Sequence, residues 1–534
     1  MSQESDHQDD RYDEAELLAH AQQIFTPVTL PCGRVVPNRL IKAPLYEHFS
    51  PPGGGPPHAG CFALYARWGA GRWGMVMTGN VQVDKRHLSL GRDMVIPETI
   101  THETLAPWRQ LANAIHSGAV ADEEESPSGS PPDSISKDAP SAPERDHGRD
   151  RPLAVVQLSH SGRQSLNFFG GRKPFEPPLA PSPVRLGQLH AVSDGWFSRA
   201  LHRITHQVPR EMTHEDITTT VAAFVRGAQV AAQSGFDGVQ IHAAHGYLVS
   251  QFISPKSNTR TDEYSAESDP LRFLREIVYA IRAPGVVPED FVLGVKLNSA
   301  DYARDTAEPQ ESRALDHVRE IGSWQLVDFI EVSGGDYEDP QFIDSTAAFK
   351  SPRQVIFESF AERSKEILAE CSLIEAGRPP PLVCVTGGLD TLPKMASVIG
   401  HAHADLLGIG RLSVIRPLLP VELQASLEKR ASGEADSFLM SEPHKLEENG
   451  LGMRPPSYFS WRGLERLFCS LLLLIWAVVP LRMPRLVGAS GPVSWHSVML
   501  RRIAFGQEVD YTMGTIGSVL RFYFIGPPYP PERS

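Results

Sequence analysis

Eight short apolar runs, separated by stretches with helical periodicity, constrain this chain more than anything else in it. They are Arg39–Leu45, Met75–Gly79, Leu153–Ser159, Gly238–His242, Val292–Asn298, Phe329–Gly334, Leu382–Gly387 and Leu406–Arg411. Each is short enough to be a buried strand, and each carries glycines or reactive polar residues at its C-terminal end. The clearest helical pattern, His214–Ser234, opens on Thr213 with Asp216 three residues on. That spacing resembles a capping box with Asp in place of the usual Glu or Gln. Eightfold alternation of strand and helix predicts an α/β fold, a parallel sheet closed as a (β/α)8 TIM barrel. Before the first run, Phe25–Pro37 places Pro31-Cys-Gly33 between two β-like stretches, which predicts a hairpin.

With 534 residues, 41% of them hydrophobic, the chain can bury a core of that size. A formal net charge of −13 argues against nucleic acid as a partner, because phosphate recognition needs a basic face. Five cysteines, Cys32, Cys61, Cys371, Cys384 and Cys469, show no Cys-x-x-Cys spacing. No metal site, iron–sulfur cluster or disulfide framework is therefore expected, and a reducing, cytoplasmic setting is. The acidic N-terminus lacks the apolar core of a secretory signal, and residues 1–24 are expected to be disordered. A polar tract over about 121–151, rich in Glu, Ser, Pro and Asp, is expected to be a disordered insertion in a loop of the 25–425 barrel. Residues 426–534 form a C-terminal extension carrying the apolar run Leu467–Leu481 between Arg466 and Arg482. As a helix that run would be only ~22 Å long, short of the ~30 Å hydrocarbon layer. It is a candidate interfacial or re-entrant membrane anchor, a helix docked on the protein, or a span, and is expected to be removable without loss of the barrel.

A barrel of this kind places its site at the C-terminal ends of the strands and holds phosphate in the loops after the last two. Those loops carry Thr386-Gly387-Gly388 and Gly408-Ile-Gly410-Arg411, glycines allowing close backbone approach and an arginine suited to bidentate charge. The fourth run opens into His242, His245 and Tyr247, three donors within six residues. Polar groups clustered where a buried strand meets a loop are what a site needs and a core avoids.

The segment Val239–Tyr264 resembles the old yellow enzyme family of flavin-dependent ene-reductases. The likeness rests on the His-x-x-His-x-Tyr set and extends over Ser254-Pro255, Asn258-Thr-Arg260 and Asp262-Glu-Tyr264. It implies FMN as cofactor, NAD(P)H as reductant, and an electron-poor alkene such as an α,β-unsaturated carbonyl as substrate, turned over in a ping-pong cycle. His242 and His245 would then bind the carbonyl oxygen and Tyr247 would protonate the α-carbon. The resemblance also implies flavin contacts from Pro44 and Leu45 of the first run, Gly79 of the second, Gln157 of the third and Lys296 of the fifth, with Gly387, Gly388, Gly410 and Arg411 at the phosphate. A carboxamide at Gln157 offers a donor and an acceptor to an imide edge. A lysine inside a closed barrel needs an anionic partner. The hairpin would close the bottom of the barrel. The main departure is Tyr46, where relatives often carry Thr or Cys; a phenol there would reshape flavin potential and substrate pocket. His190, in the long loop after the third run, reads as a solvated histidine rather than a substrate-facing one, the other role open to it. Two other readings stand beside this one: an NADH oxidase or quinone reductase, and a flavin-binding scaffold with little turnover.

Overall fold

The computed structural model describes residues 14–120, 151–187, 196–299, 310–333, 352–374, 377–434, 490–511 and 513–523, with isolated positions between 436 and 474. The tract over 121–150, His190 and most of 467–481 lie outside the described residues.

Eight parallel strands close on themselves. They are β1 (Leu40–Lys42), β2 (Met75–Gln82), β3 (Leu153–Ser159), β4 (Gly238–Ala243), β5 (Val292–Asn298), β6 (Phe329–Ser333), β7 (Leu382–Thr386) and β8 (Leu406–Ile409). Closure is made by β1, which pairs with β8 through Leu40↔Leu407 and with β2 through Ile41↔Met75. The expected runs overshoot β1, β7 and β8 by one to three residues at their ends and fall short of β2 by three and of β4 by one.

The pleat sorts the side chains. On β4, Val239, Ile241 and Ala243 pack outward into the large apolar layer under the helices. Ile41, Met75, Leu153, Val292, Phe329 and Leu406, early in their strands, form a second cluster with Leu30 and Val36 of the hairpin. That hairpin pairs Val28–Thr29 with Val35–Val36 and plugs the bottom of the barrel, as expected. Arg34 ties it down by pairing with the buried Asp237 at 2.8 Å. The helix His214–Gln233 is capped as its sequence suggests: the Asp216 amide donates to Thr213 Oγ1 at 3.2 Å, and the Asp216 carboxylate accepts from the Thr213 amide at 2.8 Å.

Two expectations fail. Residues 14–23 are a helix, not part of a disordered N-terminus. Leu17, Ala21 and Ile24 fall on one face at helical spacing and are buried, in a segment whose average composition is polar. Nor does the extension stand apart from the barrel. The helix Ser490–Ala504 packs on Ala59–Ala70 and on Arg411–Ile415, and Trp495, Met499 and Leu500 join the main core. Deleting residues from about 458 onward is therefore expected to cost on the order of 5 kcal/mol or more, since several large side chains lose full burial. A melting curve of the truncated chain at wild-type temperature would show the helix to be dispensable. Of the 467–481 run, Leu467, Leu471 and Leu474 are described, helical and exposed. Among the described residues, no helix is long and apolar enough to cross a membrane.

Candidate active site

The same alternation that sends Val239 and Ile241 outward turns Gln240 and His242 into the barrel. After β4 the backbone reverses: His245 is left-handed at φ 56° and Gly246 at φ 69°. Tyr247 then starts the helix Leu248–Ile253. This tight turn gathers the three expected residues. The rings of His242 and His245 lie 5.2 Å apart at 79°, and those of His242 and Tyr247 4.5 Å apart.

Neighbouring strand ends hold the turn in place. The His245 amide donates to Asn298 Oδ1 at 3.2 Å, and its Nε2 meets Ser333 Oγ at 3.0 Å. Gln164 Nε2 donates to the His245 carbonyl at 2.6 Å. His242 Nδ1 accepts from the Ala244 amide at 3.3 Å, which leaves Nε2 as its N–H. Burial pushes the pKa of both rings well below the ordinary histidine range. The neighbouring His245 and then Lys296 depress His242 further, and Lys296 does so for His245. Both rings are therefore neutral N–H donors at neutral pH.

A polar layer crosses the barrel one step below. Gln157 Nε2 donates to Gln240 Oε1, Gln240 Nε2 to Glu331 Oε2, and Lys296 Nζ to Glu331 Oε1, each at 2.7 Å. Glu331 is thus the anion that Lys296 requires. The sequence reading missed it, although a lone carboxylate inside the apolar strand Phe329-Ile-Glu-Val-Ser333 was the signal. Gln157 Oε1 is fully buried without a protein partner. An orphaned acceptor of that kind, one step below the histidines, fits a bound heterocycle with N–H groups.

Around the barrel seam, Ala43 donates to the Ile409 carbonyl at 3.0 Å, bringing Pro44 and Leu45 beside Gly410. A Cβ on Gly410 would sit 3.7 Å from Leu45 Cδ2. Gly387 and Gly388 have φ of 132° and 71°, conformations that favour glycine. Arg411 begins the helix Arg411–Ile415 with its side chain open to solvent and, among the described residues, no ion pair. Gly387 and Gly388 follow β7, and Gly410 and Arg411 follow β8.

Two residues are placed differently. Gly79 sits in a bulge where β2 runs one residue longer than β3, and a Cβ there would lie 2.0 Å from Glu47 Oε2 and 2.1 Å from the Leu45 carbonyl. Its space is filled by Glu47, which accepts from the Gly79 amide at 2.9 Å, rather than left open toward a ligand. Tyr46 is tied down by its hydroxyl, which accepts from the Leu90 amide at 3.3 Å and donates to Asp93. Its phenol belongs to the 89–93 loop instead of standing free in the pocket. Asp93 itself is buried and pushed up to about 6 by desolvation, against the hydrogen bonds it accepts from Gln82, Ser89 and Tyr46.

Buried neutral histidines make stability pH-dependent. Burial pushes His48 and His206 down to about 3 and lowers His87, His160, His242 and His245 as well. The unfolded chain protonates these rings near pH ~6.5 and the folded chain does not, so stability is lost as pH falls through that value. Asp93 and Glu320, both raised by desolvation, work in the opposite direction, but they are two carboxyls against these six rings, and burial lowers His58 and His317 as well. Urea midpoints should fall between pH 7.5 and pH 5; an unchanged midpoint would mean that these rings are charged in the fold.

Comparison with known proteins places this geometry. Residues 149–430 match the model of the NADH:flavin oxidoreductase / NADH oxidase family. The NADH-dependent flavin oxidoreductase iliE of Hypocrea jecorina is 32% identical over 409 residues, which cover 76% of this chain and 90% of that protein. The iliE protein of Neonectria sp. is 34% identical over 74% of this chain, which spans 46% of that protein's length. In fold, the chain is similar to the old yellow enzyme homologue of Zymomonas mobilis (TM-score 0.53, 18% identity, covering 76% of this chain and 92% of that one). Morphinone reductase gives a TM-score of 0.52 at 19% identity, covering 80% of this chain and 92% of that one. The chain belongs to the NADH:flavin oxidoreductase / NADH oxidase family, the old yellow enzymes, and is an oxidoreductase that uses FMN with NAD(P)H as reductant.

Proposed function

We propose that the protein reduces the C=C bond of α,β-unsaturated carbonyl compounds, with nicotinamide and alkene taking turns at one face of the cofactor. The observation that carries this reading is the convergence of two neutral imidazoles, His242 buried and His245 half-buried, and a buried phenol at the end of β4. When bound, FMN supplies hydride chemistry between the two substrates. The protein's residues supply the rest. His242 and His245 donate N–H bonds to the substrate's carbonyl oxygen and stabilise the charge that grows there as hydride arrives at the β-carbon. Being neutral, they polarise without giving up a proton. The Tyr247 hydroxyl delivers the proton to the α-carbon, so one hydride and one proton complete the saturated product.

Gln157 would offer its unpartnered acceptor to the flavin, Lys296 would lend it positive charge, and Pro44 and Leu45 would help to hold it. Gly387, Gly388, Gly410 and Arg411 would hold the phosphate. Arg411→Ala is accordingly expected to weaken FMN binding by about 1.5–3 kcal/mol, the worth of a hydrogen bond to a charged group. Flavin titration of the apoprotein measures this, and wild-type affinity would leave Arg411 a surface residue.

The reading is tested by anaerobic reduction with NADH and NADPH, followed by reoxidation with a panel of enones, a quinone and oxygen. Fast reoxidation by enones supports it. Reoxidation by quinone or oxygen alone would make the protein a quinone reductase or NADH oxidase.

A further inference from the structure

We propose that Arg501, on the C-terminal helix Ser490–Ala504, is a positioning residue of the active site, acting through His48 and the Leu90 peptide on Tyr46, Ser89 and Tyr247. The inference rests on the function proposed above for Tyr247, and deepens it.

The contacts form a continuous line. Arg501 Nη2 donates both to His48 Nδ1 at 2.8 Å and to the His48 carbonyl at 2.7 Å. With Nδ1 accepting, the His48 proton sits on Nε2, which reaches the Leu90 carbonyl at 3.3 Å. The amide of the same Leu90 donates to the Tyr46 hydroxyl at 3.3 Å. Both polar atoms of one backbone residue are thus held by two side chains of the loop after β1. The residue before it, Ser89, has its hydroxyl 3.5 Å from that of Tyr247 and 2.9 Å from Ser161 Oγ. Asp93 fixes the far side of this loop by accepting from the Ser89 amide at 3.2 Å.

The C-terminal helices also impose the shape of the β1 loop. His48 has φ 50°, a left-handed conformation unusual for a residue with a side chain. Such a conformation persists only where its surroundings over-determine it. Here they do: Phe522 stacks on the imidazole at 4.0 Å, Arg501 grips ring and carbonyl together, and Ser497 Oγ donates to the Tyr46 carbonyl at 3.0 Å. Arg501 is itself 3% exposed and lies outside residues 149–430 that the family model matches. A segment distant in sequence from the barrel strands therefore sets the wall against which the proton donor sits.

The test uses full-length holoenzyme carrying Arg501→Ala, Arg501→Lys, His48→Ala, the Arg501→Ala/His48→Ala pair, and Arg502→Ala as a control on the same helix. Hydrogen exchange of segments 44–50 and 86–94 is the readout that needs no turnover. Arg501→Ala and His48→Ala should each raise exchange in both segments, the pair should add nothing further, and segment 292–298 should stay protected. In stopped flow, Arg501→Ala should slow reoxidation by an enone on the order of tenfold, as a displaced acid does, with reduction by nicotinamide and reoxidation by quinone within about twofold of wild type. Arg501→Lys, which keeps the charge and loses the fork, should fall between, and it serves where the alanine variant does not fold. Unaltered exchange in 86–94, additive effects in the pair, or equal loss of FMN and of every half-reaction would overturn the proposal. If the wild type fails to reduce enones, the reading of Tyr247 falls alone, and the exchange experiment still decides whether Arg501 sets the loop.

Discussion

Tyr247→Phe is expected to slow reoxidation by enones by roughly 10²–10⁴ while leaving reduction by nicotinamide close to the wild-type rate. The substitution removes one oxygen from a buried ring that keeps its packing against His242 at 4.5 Å. Quinone reoxidation, which needs no proton on carbon, should be largely spared. His242→Ala and His245→Ala should each cost on the order of 10²–10³ in the same enone step if, as proposed, each removes a donor to the developing oxyanion. Stopped-flow measurement of both half-reactions separates the two kinds of loss. An enone rate unaffected by Tyr247→Phe would hand the proton to water or another group, and the His pair would then carry the chemistry without it.

Glu331→Ala should be the most destabilising substitution in the barrel interior, at about 3–5 kcal/mol, since it leaves a charged lysine buried without its partner. Lys296 and Glu331 are 2.7 Å apart with side chains 4% and 0% exposed, and Gln240 loses an acceptor in the same step. Replacing the pair together, Lys296→Met with Glu331→Leu, should recover most of that stability, because desolvation offsets much of what a buried ion pair contributes. On the function proposed above, the double variant should nonetheless bind flavin poorly, because Lys296 would no longer lend its charge to the cofactor. Urea unfolding and flavin titration on the same three proteins read the two effects independently. Equal stability of Glu331→Ala and wild type would mean that water reaches Lys296.

The barrel was legible because each strand announces itself locally. Leu153–Ser159 and Val292–Asn298 are bounded in the structure as their apolar runs are, and the Thr213–Asp216 cap forms as spaced. The His242, His245 and Tyr247 set was legible for the same reason: three residues on one turn are neighbours whatever the rest of the chain does. Helix Glu14–Gln23 was hidden by averaging, since only Leu17 and Ala21 of its ten residues are buried, one turn apart on the inner face.

What the sequence by itself determined is everything that depends on neighbours along the chain: eight buried strands, the order in which they wind, and the reactive turn after the fourth. What only the tertiary structure decided is everything that depends on lateral register and on docking. Lys296 meets Glu331 because β5 and β6 pair in that register, and a slip of one residue would turn the carboxylate outward. Gly79 is glycine because Glu47 occupies its space, and Tyr46 is restrained because the 89–93 loop receives its hydroxyl. Arg501 reaches His48 across more than four hundred residues. No periodicity records such a contact, because it is set by how whole helices pack on a closed barrel rather than by any local preference of the chain.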